Sequence, residues 1–178
     1  MKNDDQYHDA IELFISQKEI GDKVKELAEI LNKEYENQSV LMIGVLQGGF
    51  MFFADLIRCL TFDITLDFIQ ASSYGSNKTS SGEVKIEGVM KHAPSEKRVI
   101  LVDDIIDTGN TFYQLKKWYS EKNIFDIKTI ALVDKPERRE VDFEVDYALF
   151  QIPDKFIVGY GLDYKGKYRQ LPYIGVLK

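Results

Sequence analysis

The chain has 178 residues, 44% of them hydrophobic and 29% charged, which is enough apolar content to bury one core of ordinary size and excludes an intrinsically disordered chain. It carries 29 acidic against 23 basic residues, and the formal charge of -6 excludes sequence-independent binding to nucleic acid or an anionic membrane surface. The single cysteine, Cys59, cannot close an internal disulfide, and neither it nor His8 and His92 stand at zinc-ligand spacing.

Met1, Lys2, Asn3, Asp4 and Asp5 are polar and acidic where a secretory signal has a basic start and an apolar stretch, which predicts a cytoplasmic protein. Ile20, Val24, Leu27, Ala28, Leu31 and Tyr35 follow helical spacing, with Asp, Lys and Glu filling the opposite face. Residues 37–54 carry no charge and approach the length of a membrane span. Gln47-Gly48-Gly49 interrupts them, so a buried strand at 40–46, a turn and a helix at 50–60 are expected instead. Ile64, Leu66 and Phe68 alternate with Thr65, Asp67 and Ile69 as in a strand. The next segment, 72–82, holds five serines and two glycines and reads either as a hairpin connection or as a lid over a substrate.

Strands follow at 84–90 and 99–102, a helix at 111–120 and a strand at 127–133. This alternation predicts an α/β fold with an open, mostly parallel sheet flanked by helices. From residue 134 onward the chain is rich in charge, Tyr, Pro and Gly, with short apolar runs at 157–158 and 174–177. That segment is expected to form a small subdomain on one edge, together with the N-terminus.

Chemistry concentrates at 99–111, where an apolar strand ends in Asp103 and Asp104, and Asp107-Thr108-Gly109-Asn110-Thr111 opens a helix. Ligands of open α/β sheets bind beyond the carboxyl ends of strands. The turn offers backbone N–H groups, two hydroxyls and a positive helix terminus, which suits an anion. Three carboxylates within five residues repel one another, so a cation or polyol is expected beside that cup. The bland alternative is a strand end followed by a capped helix. The spacing of a P-loop is absent, Gly159, Gly161 and Gly166 miss the dinucleotide-binding pattern, and Asp104 and Asp107 are one residue too far apart for an Asp-x-Asp phosphatase.

Residues 100–111 resemble the phosphoribosyl pyrophosphate (PRPP) signature of type I phosphoribosyltransferases. Three further segments narrow the likeness: Val133-Asp134-Lys135-Pro136-Glu137-Arg138-Arg139, the stretch 152–164 that begins Ile152-Pro153-Asp154-Lys155-Phe156, and Tyr168-Arg169. These are similar to the hypoxanthine-guanine phosphoribosyltransferases, in the right order over residues 38–178. The resemblance implies the type I phosphoribosyltransferase fold, with a core at about 38–134 and a hood from about 1–18 and 135–178. It implies a purine-salvage transferase that joins hypoxanthine or guanine to PRPP with Mg2+, makes IMP or GMP and releases pyrophosphate.

Residue by residue, the resemblance implies that Asp103 and Asp104 address the ribose hydroxyls, directly or through magnesium, and that Asp107 is the general base or acid at purine N7. Thr108, Gly109, Asn110 and Thr111 would cradle the 5'-phosphate. Lys135 would donate to the 6-oxo oxygen, favouring 6-oxopurines over adenine. Phe156 would stack on the base, Ile157 would meet it through its backbone, and Asp163 would lie near a second magnesium and the purine edge. Gln47, Gly48 and Gly49 form the first pyrophosphate loop, where the family usually has Lys or Arg in place of Gln47 and often a cis peptide at Leu46-Gln47. Arg169 would grip pyrophosphate, and Ser73 and Tyr74 would belong to the closing lid.

Family members are usually homodimers or homotetramers. A regulatory protein that keeps this fold but binds RNA needs a basic face that the composition does not provide. A transferase for xanthine or a pyrimidine is the nearer rival, since Lys135 leaves the 2-position of the base open.

Overall fold

The structure, a computed structural model, describes residues 11–73, 84–87 and 97–178; of residues 71–73 and 84–87 only the backbone is described. The first strand, β1 (Ile11–Ile15), leads into α1 (Gln17–Glu34). A reciprocal capping box starts this helix. The Glu19 N–H donates to Ser16 Oγ at 3.2 Å, and the Ser16 N–H donates to Glu19 Oε2 at 2.8 Å. The apolar spacing buries Ile20, Val24, Leu27, Ala28 and Leu31, as expected.

The main sheet contains β2 (Ser39–Leu46), β3 (Asp63–Ser73), β4 (Val84–Glu87), β5 (Arg98–Ile106), β6 (Asp126–Asp134) and β7 (Tyr147–Gln151), in the order β4-β3-β2-β5-β6-β7. All run parallel except β4, which pairs antiparallel with β3 from Gln70–Glu87 to Ser73–Val84. The hairpin reading of the serine-rich segment therefore holds at its flanks, while residues 74–83, Tyr74 included, lie outside the described residues.

Helices α1 and α2 (Phe50–Ile57) pack on one face, where Val40, Met42, Ile100 and Val102 join the core. Helix α3 (Asn110–Ser120) covers the other, over Leu41, Ile43, Val99 and Leu101. Central strands buried on both sides account for the unbroken apolar runs. The uncharged stretch 37–54 is thus a strand, turn and helix start, and among the described residues no helix is long and apolar enough to cross a membrane.

Three elements depart from expectation. In β3, Asp67 and Ile69 are buried while Leu66 and Phe68 stay 37% and 43% exposed, because the short α2 leaves part of its sheet face open. Strand β5 continues past Val102 through both acids, with Asp103 paired to Ala131 and Ile106 to Asp134; ladder hydrogen bonds use the backbone and tolerate polar side chains. Strand β7 falls within the segment assigned to the edge subdomain, yet it extends the main sheet beside β6. A second sheet, β1-β9-β8, joins the N-terminus to β8 (Ile157–Val158) and β9 (Ile174–Leu177).

Candidate active site

The functional side chains gather beyond the carboxyl ends of β2, β5 and β6. Each parallel strand there hands over to a loop, and the backbone groups at its end are free of the ladder. Asp103 and Asp104 are 9% and 7% exposed, and the Asp104 N–H donates to Asp103 Oδ1 at 2.8 Å. Burial pushes the Asp103 carboxyl well above the ordinary range, with the Asp104 charge adding to it. Burial also raises Asp104, opposed by hydrogen bonds from Asp103 and the local backbone and by the Arg169 charge.

The loop after β2 lies directly against this pair. A Cβ on Gly48 would stand 1.7 Å from Asp104 Oδ2, and one on Gly49 would stand 2.9 Å from the Val45 carbonyl oxygen, so neither position has room for a side chain. The Leu46-Gln47 peptide is cis, as the family pattern suggests, and Gln47 is exposed. On the far side of the loop, a Cβ on Gly161, whose φ is +101°, would stand 2.1 Å from the Gly48 carbonyl oxygen. Gly161 in turn bonds to Arg169: its N–H donates to the Arg169 carbonyl at 3.0 Å, and the Arg169 guanidinium donates to the Gly161 carbonyl. Arg169 pairs with Asp163 at 2.7 Å, and Asp163 also accepts the Gly166 N–H at 2.7 Å. Gly48, Gly49, Asp104, Arg169 and Asp163 therefore form one contiguous group.

A second group lies at the end of β6. Lys135 is 6% exposed; its ammonium donates to the Lys155 carbonyl at 2.6 Å and stands 3.7 Å from Asp154. Phe156 is 55% exposed and meets Tyr164 edge-on at 5.6 Å, leaving a ring face available for stacking. Ile157 is buried in β8, opposite Val176. Asp107 is ion-paired to Arg138, which also reaches Asp154 at 3.1 Å. Through Arg138 and Asp154 the signature acid is tied to the Lys135 loop.

Between these groups runs the 107–111 turn. Gly109 has φ +84°, the left-handed conformation that favours glycine, and Thr108 Oγ1 accepts the Asn110 N–H at 3.4 Å. Thr111 lies in the first turn of α3, and the Asn110 side chain donates to Glu140 at 3.1 Å. Ser73 ends β3 opposite Val84, and its side chain lies outside the description.

Two carboxylates at Asp103 and Asp104 supply hard oxygen donors suited to magnesium. Among the described residues no three acidic, histidine or cysteine groups converge as a metal cluster, and Asp163 is engaged by Arg169. Four contributors went unread in the sequence: Asp134, Arg138, Arg139 and Gly161. All four lie inside segments that carry the family resemblance, 133–139 and 152–164, but the sequence assigned no role to any of them.

A parallel sheet with a two-acid strand end, a glycine turn opening a helix and a facing glycine loop defines a phosphoribosyltransferase. The family profile described as phosphoribosyl transferase domain matches residues 15–165. A hypoxanthine-guanine phosphoribosyltransferase of Bacillus subtilis is 44% identical over 171 residues, covering 96% of this chain and 95% of that protein. A crystal structure of a hypoxanthine phosphoribosyltransferase from Staphylococcus aureus superposes with a TM-score of 0.93 at 35% identity, covering 99% of this chain and 97% of that one. A hypoxanthine-guanine phosphoribosyltransferase from Bacillus anthracis, solved with HEPES in its active site, gives 0.89 at 44% identity over 94% of this chain and 98% of that one. The chain belongs to the hypoxanthine-guanine phosphoribosyltransferase family.

Proposed function

We propose that this protein transfers the phosphoribosyl group of PRPP to hypoxanthine or guanine, forming IMP or GMP and releasing pyrophosphate, in the cytoplasm. The observation that carries this reading is the meeting of two motifs at one end of the sheet: the Lys135 N–H donates to the Ile106 carbonyl at 2.9 Å, so the 6-oxo donor and the PRPP signature share a wall.

The transition state for displacement at the ribose resembles an oxocarbenium ion, so positioning and charge matter most. The amides and hydroxyls of 108–111 hold the 5'-phosphate at the positive end of α3. Asp103 and Asp104 hold the ribose hydroxyls and would also hold magnesium, which when bound would screen the charge of the leaving pyrophosphate. Gly48 and Gly49 admit the pyrophosphate to the backbone, and Arg169 supplies the cation on its other side, with Gln47 contributing no charge. Lys135 exchanges the Lys155 carbonyl for the purine 6-oxo oxygen, Phe156 stacks on the ring, the Ile157 backbone and Asp163 meet its edge, and Asp107 exchanges the proton at N7.

The family's dimers or tetramers suit the partly exposed Leu66 and Phe68 on the α2 face, which a second copy would cover. Incubating the protein with PRPP, magnesium and hypoxanthine or guanine yields nucleotide, with adenine inert. A clean preparation that makes none from any 6-oxopurine defeats the reading.

A further inference from the structure

Three consecutive carbonyls of the signature turn point into the loop that follows β6. The Ile106 carbonyl accepts the Lys135 N–H at 2.9 Å, the Asp107 carbonyl accepts from Arg139 Nη1 at 2.7 Å, and the Thr108 carbonyl accepts the Glu140 N–H at 2.9 Å. Arg139 is the side chain that organises this seam. Its Nε donates to the Phe143 carbonyl at 3.1 Å, and its Nη2 pairs with Asp134, with the two side chains only 15% and 10% exposed. Its methylenes pass directly under the turn, so a Cβ on Gly109 would stand 2.6 Å from Arg139 Cδ.

A peptide unit whose carbonyl is held on one side presents the N–H of the following residue on the other. Fixing the carbonyls of 106–108 therefore aims the next amides away from the seam, toward the place where a phosphate is to bind.

We propose that Arg139, anchored by Asp134, is a positioning residue that sets the phosphate cup of 107–111 without touching substrate. This rests on the assignment of that turn to the 5'-phosphate. The planar fork serves three acceptors in different directions at once; a lysine ammonium reaches Asp134 but cannot also hold the Asp107 and Phe143 carbonyls.

The test measures binding of IMP and of inosine, the same nucleoside without the phosphate, by calorimetry on full-length wild type, Arg139→Lys and Asp134→Asn. The expected result is at least a tenfold loss of IMP affinity with inosine changed less than threefold, and a matching rise in KM for PRPP with a smaller change in kcat. Equal losses for both ligands, or none for either, overturn the proposal. Asp134→Asn, which keeps its shape and one acceptor oxygen, is the variant to read if Arg139→Lys does not fold. Wild-type turnover separately decides the parent reading: a wild type that makes no nucleotide but shows the IMP-selective loss in the variants leaves the clasp standing and removes the reaction.

Discussion

Asp107, proposed above as the general base or acid, is held by an ion pair and is still partly exposed. Its oxygen meets the Arg138 guanidinium, which also binds Asp154, but the Asp107 and Arg138 side chains are 40% and 43% exposed, so water screens the pair and exchange for an arriving purine costs little. The backbone of the same residue is held more firmly, because the Arg139 Nη1 bond to its carbonyl lies in a nearly buried cluster. The backbone is thus anchored while the carboxylate is held by a partly exposed ion pair, which suits the proposed proton exchange at N7. Asp107→Asn keeps the shape and removes the proton acceptor. Its kcat is expected to fall by about 100-fold or more, with KM for PRPP within about threefold, since general-base contributions are typically of that order. Steady-state kinetics with hypoxanthine check this, and an unchanged kcat removes Asp107 from its assigned role.

At the scale of elements, the site depends on glycine contacts between loops from distant parts of the chain. Gly48, after β2, lies against the Asp104 carboxylate of β5 on one side and against Gly161, after β8, on the other, so three segments meet with only that carboxylate between them. Gly161→Ala adds a Cβ 2.1 Å from the Gly48 carbonyl oxygen at a φ of +101°, where an L-residue is strained. The expected outcome is a loss of about 2 kcal/mol in denaturant unfolding, combining that strain with overpacking, and a rise in KM for PRPP as Arg169 is pushed from the pyrophosphate loop. A variant with wild-type stability and kinetics shows that this contact is not needed.

The same elements separate what was readable from what was not. Parallel strands β2, β5 and β6 could be read because residues buried on both faces leave unbroken apolar runs, and α1 because one buried stripe has period 3.6. The far end of β5 could not, because Asp103 and Asp104 look like a strand end although the ladder continues to Ile106. Nor could β7, whose apolar run of four residues, Tyr147 to Phe150, is short and stands in a charged segment, and which is joined to the sheet partly by Asp146 accepting from the Thr129 N–H and hydroxyl at 2.8 Å. The residues proposed to meet substrate lay in short motifs that a family likeness could locate. Arg139 lies in the same motif as Lys135, but a buried arginine and a solvated one look alike in sequence until Asp134 and the neighbouring loops are brought around it.

For the whole molecule, the charge of -6 and the proposed phosphate-rich substrate are compatible because the acids are localised. Asp103 and Asp104 are buried at the end of β5, where the proposed reaction places hydroxyls and magnesium, while Arg169, Lys135 and backbone amides are the groups proposed to meet the anions and the base oxygen. The core carries a different kind of titratable group. Tyr35, Tyr119 and Tyr160 are 2%, 0% and 6% exposed, and burial pushes each phenol well above its ordinary value; Tyr160 also donates to Asp55 at 2.7 Å. Tyr147, partly buried and donating to Glu34, is pushed up to about 12. Because the folded values lie above the unfolded value of about 10, both states hold the proton below that pH and the groups cost nothing there. Above it the unfolded chain ionises while the folded one stays neutral, so stability falls with rising pH. The three buried phenols are expected to cost about 1 kcal/mol each by about pH 11. Urea unfolding should therefore show a nearly constant midpoint from about pH 8 to about pH 9.5 and a steep decline above about pH 10, with tyrosinate absorbance rising only as the chain unfolds. Tyrosinate appearing in full before unfolding would mean that the phenols ionise inside the folded core, and burial would then not be what holds their protons.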